Sequence, residues 1–347
     1  MATCATRSAS RRARVAEAVA SRGAAAVATG PLGALSHDEL GVIVDGLADP
    51  LQPIVAVALS STCLGLRTPL RAALEVLKER HARAVALCRK LDSGYMYLTD
   101  VLDRDGGISC ATLRDTESLS CQLPRRGVDK GSRSLNSVDM ATLGTILPWM
   151  PKLEELYLRD SGIDNAGMQA LCEGLVPLAR GSMPALYYVD LMFNEIGPSG
   201  AEALAATLCK LPGLNVLNLG QNPFGDQGMA ALAMPLRKLP HLLVLNIEQT
   251  DIGDDGLDSL LANLSKDDFK ELEDLELFND ELTGAGKDGR GADGAAPTRG
   301  YAALASALVD GAMPQLQCVP LADLGARMAM ADKADALEAR GIYLHHV

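Results

Sequence analysis

Several stretches of this sequence carry residue types that could do chemistry. Gly284-Ala-Gly286-Lys287 has the glycines and the lysine of a phosphate-cradling loop, but such a loop needs Gly at 281 and Ser or Thr at 288. Glu281 and Asp288 stand there instead. Asp103-Arg-Asp105-Gly106-Gly-Ile108 has the middle of a calcium loop, yet its first and twelfth ligand positions fall on Val101 and Thr112, so a solvated turn is expected. The carboxylate pairs Asp254-Asp255 and Asp267-Asp268 sit in expected turns or helix starts, where capping accounts for them. The five His do not stand at ligand spacing from Cys or carboxylates, and His345-His346 reads as a frayed end. Cys4, Cys63, Cys88, Cys110, Cys121, Cys172, Cys209 and Cys318 include no Cys-x-x-Cys pair and read as small apolar residues in a reducing compartment. No Gly-x-Ser-x-Gly elbow occurs. The expectation is therefore no catalytic centre, no metal and no cofactor, and function is sought on a surface.

Composition narrows the kind of surface. The 347 residues are 48% hydrophobic but only 3% aromatic, so the core is built from Leu, Ala, Val and Ile in thin repeated layers. A net charge of −12 argues against a phosphate backbone as partner, so no nucleic acid is expected. No run approaches eighteen apolar residues, so no membrane span is expected. The chain reads as intracellular, cytoplasmic or nuclear. Organelle targeting by residues 1–33 is the alternative, since Arg7, Arg11, Arg12, Arg14 and Arg22 face the single acid Glu17 among Ala and Ser.

The elements that would present such a surface are legible as a repeat. Leu153-x-x-Leu156-x-Leu158-x-x-Ser161-x-Ile163 recurs from Leu186, Leu214, Leu242 and Leu272, at steps of 33, 28, 28 and 30 residues. Gly167, Gly200, Gly228 and Gly256 follow four residues after the last apolar position. Leu171/Leu175, Leu204/Leu208, Leu232/Leu236 and Leu260/Leu264 then mark one face of a helix. A weaker copy has Cys121-x-Leu123 and Gly127-Val128 followed by a helix from Val138 to Leu147. A degenerate last copy begins at Leu316, giving about seven units. Each Leu-x-Leu predicts a short strand, paired in parallel with the next at about 4.8 Å, and the wider helix behind it bends the stack.

Residues 118–340 resemble the ribonuclease-inhibitor class of leucine-rich repeats, which implies an α/β solenoid with a curved parallel sheet inside and helices outside. The departure is a Gly-rich insertion, 286–299, in the fifth unit. Outside the repeats, residues 1–34 read as a flexible tail, 35–92 as an all-helical region, 93–117 as a linker and 341–347 as a C-terminal tail.

Strand alternation predicts a solvent-facing concave wall: Glu155, Tyr157 and Arg159; Tyr188, Asp190 and Met192; Val216, Asn218 and Gly220; Val244, Asn246 and Glu248; Asp274, Glu276 and Phe278. Aromatic anchors at either end with acids and amides between them suit a protein partner with a basic, partly apolar surface.

The region before the repeats has a Leu35-x-x-Asp-Glu-Leu40 opening, a Leu47-x-Asp49-Pro50 middle and a Ser60-x-x-Cys63-x-x-Leu66-Arg67 close, then a long helix entered at Thr68-Pro69. This order resembles an F-box, with Ser36 where that family prefers Pro. The resemblance implies docking to the adaptor of a cullin-type ubiquitin ligase through Leu35, Leu40, Ile43 and Leu47. A helical cap over the open end of the solenoid is the alternative. Three functions compete: an interaction scaffold without catalysis, a ubiquitin-ligase substrate receptor, and a regulator resembling Ran GTPase-activating proteins, which share this repeat type.

Overall fold

A computed structural model describes residues 49–62, 71–91, 109–120, 135–175, 185–265, 267–277, 299–321 and 330–346. The chain divides into two units, Met1–His81 and Ala82–Val347. In the first, α1 (Ile54–Thr62) follows a turn in which Asp49 accepts from the amide of Leu51 at 2.8 Å. One side of α1 is apolar yet open: Ile54 is 77% exposed, Val55 54% and Val57 46%. The helix α2 (Arg71–Cys88) crosses the division between the units and buries Leu77, Ala84, Leu87 and Cys88. Among the described residues no helix is long and apolar enough to cross a membrane.

Among the described residues the second unit contains one parallel sheet of eight strands in chain order: β1 (Ser118–Ser120), β2 (Glu155–Tyr157), β3 (Tyr188–Asp190), β4 (Val216–Asn218), β5 (Val244–Asn246), β6 (Asp274–Glu276), β7 (Cys318–Leu321) and β8 (Tyr343–His346). The helices are α3 (Cys110–Asp115), α4 (Ser137–Ile146), α5 (Asn165–Leu175), α6 (Pro198–Ala205), α7 (Gly225–Arg237), α8 (Asp254–Leu261), α9 (Arg299–Val309) and α10 (Ala334–Ala339). Leu119, Leu156, Val189, Leu217, Leu245 and Leu275 stack in register through the sheet, each buried. This alternation, one side chain inward and its neighbours outward, is what a half-buried parallel strand requires. The fold is an α/β leucine-rich-repeat solenoid.

Three boundaries differ from the sequence reading. The first strand pairs Leu119 with Leu156, two residues before the Cys121-x-Leu123 alignment. Residues 343–346, expected to be part of a C-terminal tail with His345-His346 frayed, form β8 and pair with β7, so the sheet has one strand more than the seven units counted. Arg299, placed at the end of the Gly-rich insertion, is the first residue of α9 and bonds Asp255 and Asp258 at 2.7 Å each. The rest of that insertion lies outside the described residues.

Two polar systems join one repeat to the next. After β2, β3, β4 and β5 the chain turns through a left-handed residue, Asp160 (φ 52), Phe193 (φ 56), Gln221 (φ 58) and Gln249 (φ 48) respectively. Amides in this turn would be orphaned in an apolar layer, and asparagine satisfies them. Asn194 accepts from Ser161 and Ile163 of the preceding repeat at 3.1 and 3.0 Å and donates to the carbonyls of Leu158 and Leu191 at 2.8 Å. Asn222 accepts from Ile196 at 3.1 Å and donates to Leu191 and Leu219 at 2.8 Å.

The second system caps helix N-termini across the repeat boundary. Asn165 Oδ1 accepts from the amides of Gly197 and Gly200 at 2.8 Å. Asp226 Oδ1 does the same for Gly253 and Gly256 at 2.7 and 2.8 Å, and Asp254 for Gly300 at 2.8 Å. This is the physical reason for two of the recurring glycines: a Cβ on Gly256 would stand 2.5 Å from Asp226 Oδ1, and one on Gly200 2.7 Å from Asn165 Oδ1. Asp254, one of the paired carboxylates, thus caps a helix.

Candidate binding surface

The outward residues of the strands line up in columns across the sheet. One column runs Ser118, Glu155, Tyr188, Val216, Val244, Asp274, Cys318 and Tyr343; the next runs Ser120, Tyr157, Asp190, Asn218, Asn246 and Glu276. Backbone pairing continues one step beyond the strands, from Leu158 to Asp190, Leu191 to Asn218, Leu219 to Asn246 and Ile247 to Glu276. That extension sets a third column of Arg159, Met192, Gly220 and Glu248.

The β2–β3 end is aromatic. The rings of Tyr157 and Tyr188 lie 4.9 Å apart, tilted by 39°, a favourable offset arrangement. Tyr188 accepts from the amide side chain of Asn218 at 3.1 Å. Tyr157 and Tyr187 both donate to Glu155, at 3.3 and 2.7 Å. At the edge of this cluster the Arg159 guanidinium sits 4.4 Å over the ring of Phe193, which is 43% exposed.

The β5–β6 end is acidic. Glu248, Asp274 and Glu276 are half-buried, and among the described residues no Lys or Arg pairs with them. Burial, followed by repulsion from Glu248 and Asp274, raises the pKa of Glu276 above the ordinary carboxylate range. Asn246 donates to Glu276 from one side. Burial, then the charges of Asp274 and Glu276, raises the Cys318 thiol as well.

The structure corrects the exposure of four wall residues, the buried Gly220 among them. Asp190, Met192 and Asn246 are 4%, 6% and 5% exposed, so they line the wall without facing solvent. Packing between strands is the reason, since Gly220 has no side chain and its neighbours close over it. A Cβ on Gly220 would lie 2.8 Å from Asn246 Oδ1 and from Glu248 Cγ, and 3.2 Å from Met192 Cε, so those side chains fill the space that Gly220 leaves. Asp190 is held by the amide of Met192 at 2.9 Å, and its burial raises its pKa despite that bond and the charge of Arg159. Glu155, Tyr157, Arg159, Tyr188, Asn218, Glu248, Asp274 and Glu276 keep partial exposure. Phe278, Leu35, Leu40, Ile43 and Leu47 lie outside the described residues.

Two contributors were missed by alternation. Tyr187 precedes its strand and reaches Glu155 through its hydroxyl. Phe193 occupies the left-handed turn position where the other repeats carry Asp160, Gln221 and Gln249. A bulky residue there is costly, so a position-by-position comparison of the repeats would have marked it. Among the described residues no group of three or more His, Cys, Asp or Glu is placed to hold a metal ion. A family model described as Leucine Rich repeat matches residues 150–172, 186–205, 212–233 and 238–261.

Proposed function

Starting from a leucine-rich-repeat protein, we propose that this chain is an interaction scaffold without catalysis, and that the concave wall of its sheet binds a protein bearing apolar and basic side chains. Leucine-rich-repeat domains are typically binding scaffolds. The observation that carries the reading is the division of one wall into a Tyr157–Tyr188 pair and a carboxylate group of Glu248, Asp274 and Glu276 with which no Lys or Arg pairs among the described residues. Three strand steps separate β3 from β6, about 14 Å at the usual spacing. A partner with an apolar side chain and a Lys or Arg that far apart would fill both ends at once. The cation would offset the burial and the repulsion that together raise Glu276.

Affinity capture with the full chain, followed by mass spectrometry, identifies the partner, and surface plasmon resonance then tests the face. Tyr188→Ala should weaken the complex roughly thirtyfold, the effect of losing about 2 kcal/mol at an anchor. Glu173→Gln and Glu202→Gln, exposed residues of α5 and α6 on the convex side, should leave it unchanged. Loss of binding from the convex pair with Tyr188→Ala intact would overturn the assignment.

A second reading has one observation in its favour. The exposed Ile54, Val55 and Val57 of α1 give the N-terminal unit an apolar docking side, as a substrate receptor of a cullin-type ubiquitin ligase would need. Ligase subunits among the captured proteins would favour that reading, and a small GTPase the regulator resembling Ran GTPase-activating proteins.

A further inference from the structure

The N-terminal edge of the solenoid holds a pair of thiols that the binding surface does not use. Cys88 closes α2 and Cys110 opens α3, and their sulfurs lie 3.7 Å apart although 22 positions separate them in the chain. Both helix ends are anchored. Leu87, Cys88 and Leu91 are buried, and Lys90 bonds Asp139 of α4 at 2.6 Å. Ser109 caps α3 by accepting from the amide of Thr112 at 3.1 Å, Leu113 is fully buried, and the chain continues into β1. Neither sulfur can drift far from the other. About 1.7 Å of further approach, within reach of side-chain rotation, would bring them to the ~2.05 Å of a disulfide.

We propose that Cys88 and Cys110 are a reversible redox pair whose disulfide staples the end of α2 to α3 beside the first strand of the sheet. The reaction needs a hydroperoxide as oxidant. Cys110 is the more exposed sulfur and is met first; its thiolate attacks the peroxide, the O–O bond breaks, and Cys110 becomes a sulfenic acid while the alcohol or water leaves. Cys88 sulfur then attacks Cys110 sulfur, the S–O bond breaks, and the Cys88 proton leaves with the hydroxyl as water. The two sulfurs together give up two electrons, and the peroxide receives both. The order fits the state of Cys88, whose pKa is raised first by its contact with Cys110 and then by burial, so that it keeps its proton until a sulfenic acid forms beside it.

The test uses the full chain treated with stoichiometric hydrogen peroxide and mapped by mass spectrometry without reduction. A linked Cys88–Cys110 peptide that dithiothreitol removes is expected. A rise in apparent unfolding temperature of roughly 5 °C should accompany it, the scale expected for closing a loop of this length in a domain of this size. Cys110→Ser should lose both the link and the rise. The exposed Cys209 reports that the oxidant acted. Oxidised Cys209 with Cys88 still a free thiol would overturn the pairing, and a link without a rise in unfolding temperature would overturn its stapling role.

Discussion

Replacing Asn222 with Ala tests whether the turn ladder holds the repeats together. The side chain is 1% exposed, accepts from Ile196 at 3.1 Å, and donates to Leu191 and Leu219 at 2.8 Å and to Gly220 at 3.2 Å. Alanine supplies none of these bonds and is too short to admit water readily into a layer lined by Leu191 and Leu219. The amide of Ile196 and the carbonyl of Leu219 then lose their buried partner, while the carbonyl of Leu191 keeps Asn194. At about 1–3 kcal/mol for each of these two groups, and with the long bond to Gly220 set aside, the cost is roughly 2–6 kcal/mol. At the equivalent position one repeat later, the Thr250 hydroxyl donates to Ile247 at 2.8 Å, and Thr250→Val should cost about 1 kcal/mol. Urea unfolding followed by far-ultraviolet circular dichroism compares the two. Equal costs, or a larger one for Thr250→Val, would refute the claim that asparagine is there to satisfy backbone groups of two repeats.

Two further outcomes follow from the wall. A carboxyl whose folded pKa is raised, as for Glu276, contributes stability that is present below its unfolded value of about 4.3 and is lost as pH rises through the folded value. Glu276→Gln should therefore make the chain more stable than the unsubstituted protein at neutral pH, the gap closing as pH falls toward 4; a gap independent of pH in thermal unfolding would refute this. Phe193→Asn should relieve about 1 kcal/mol of left-handed strain against a similar or smaller loss of the contact with Arg159, leaving stability level or slightly higher. It should nonetheless weaken partner binding about tenfold by surface plasmon resonance, and unchanged affinity would remove Phe193 from the interface.

The central units were legible because their leucines recur at spacings that only one strand-and-helix unit satisfies. The first strand was misplaced by two residues for a definite reason: Leu119, Cys121 and Leu123 alternate, and a shift of two keeps the same face inward. Only pairing with β2 fixes Leu119 against Leu156. The last strand was missed because Tyr343–His346 carries no Leu-x-Leu pair and two histidines obscure it. At the wall, alternation told direction but carried no information about packing between strands. Met192 and Asn246 were for that reason expected in solvent, whereas they lie packed across Gly220.

The shared helix caps limit how this protein could change its number of repeats. A cap works only when the first turn of one helix offers an acceptor to the glycine amides of the next, as Asn165 and Asp226 do. The matching position of α6 is Pro198, which has no side-chain oxygen. Excision of the unit between α6 and α8 would set Pro198 against Gly253 and Gly256 and strand both amides. Excision of the unit between α5 and α7 would instead offer Asn165 to Gly225 and Gly228, where Gly225 already donates to Thr250. The units are alike in outline yet not exchangeable, and gain or loss of a repeat is tolerated at some junctions and penalised at others.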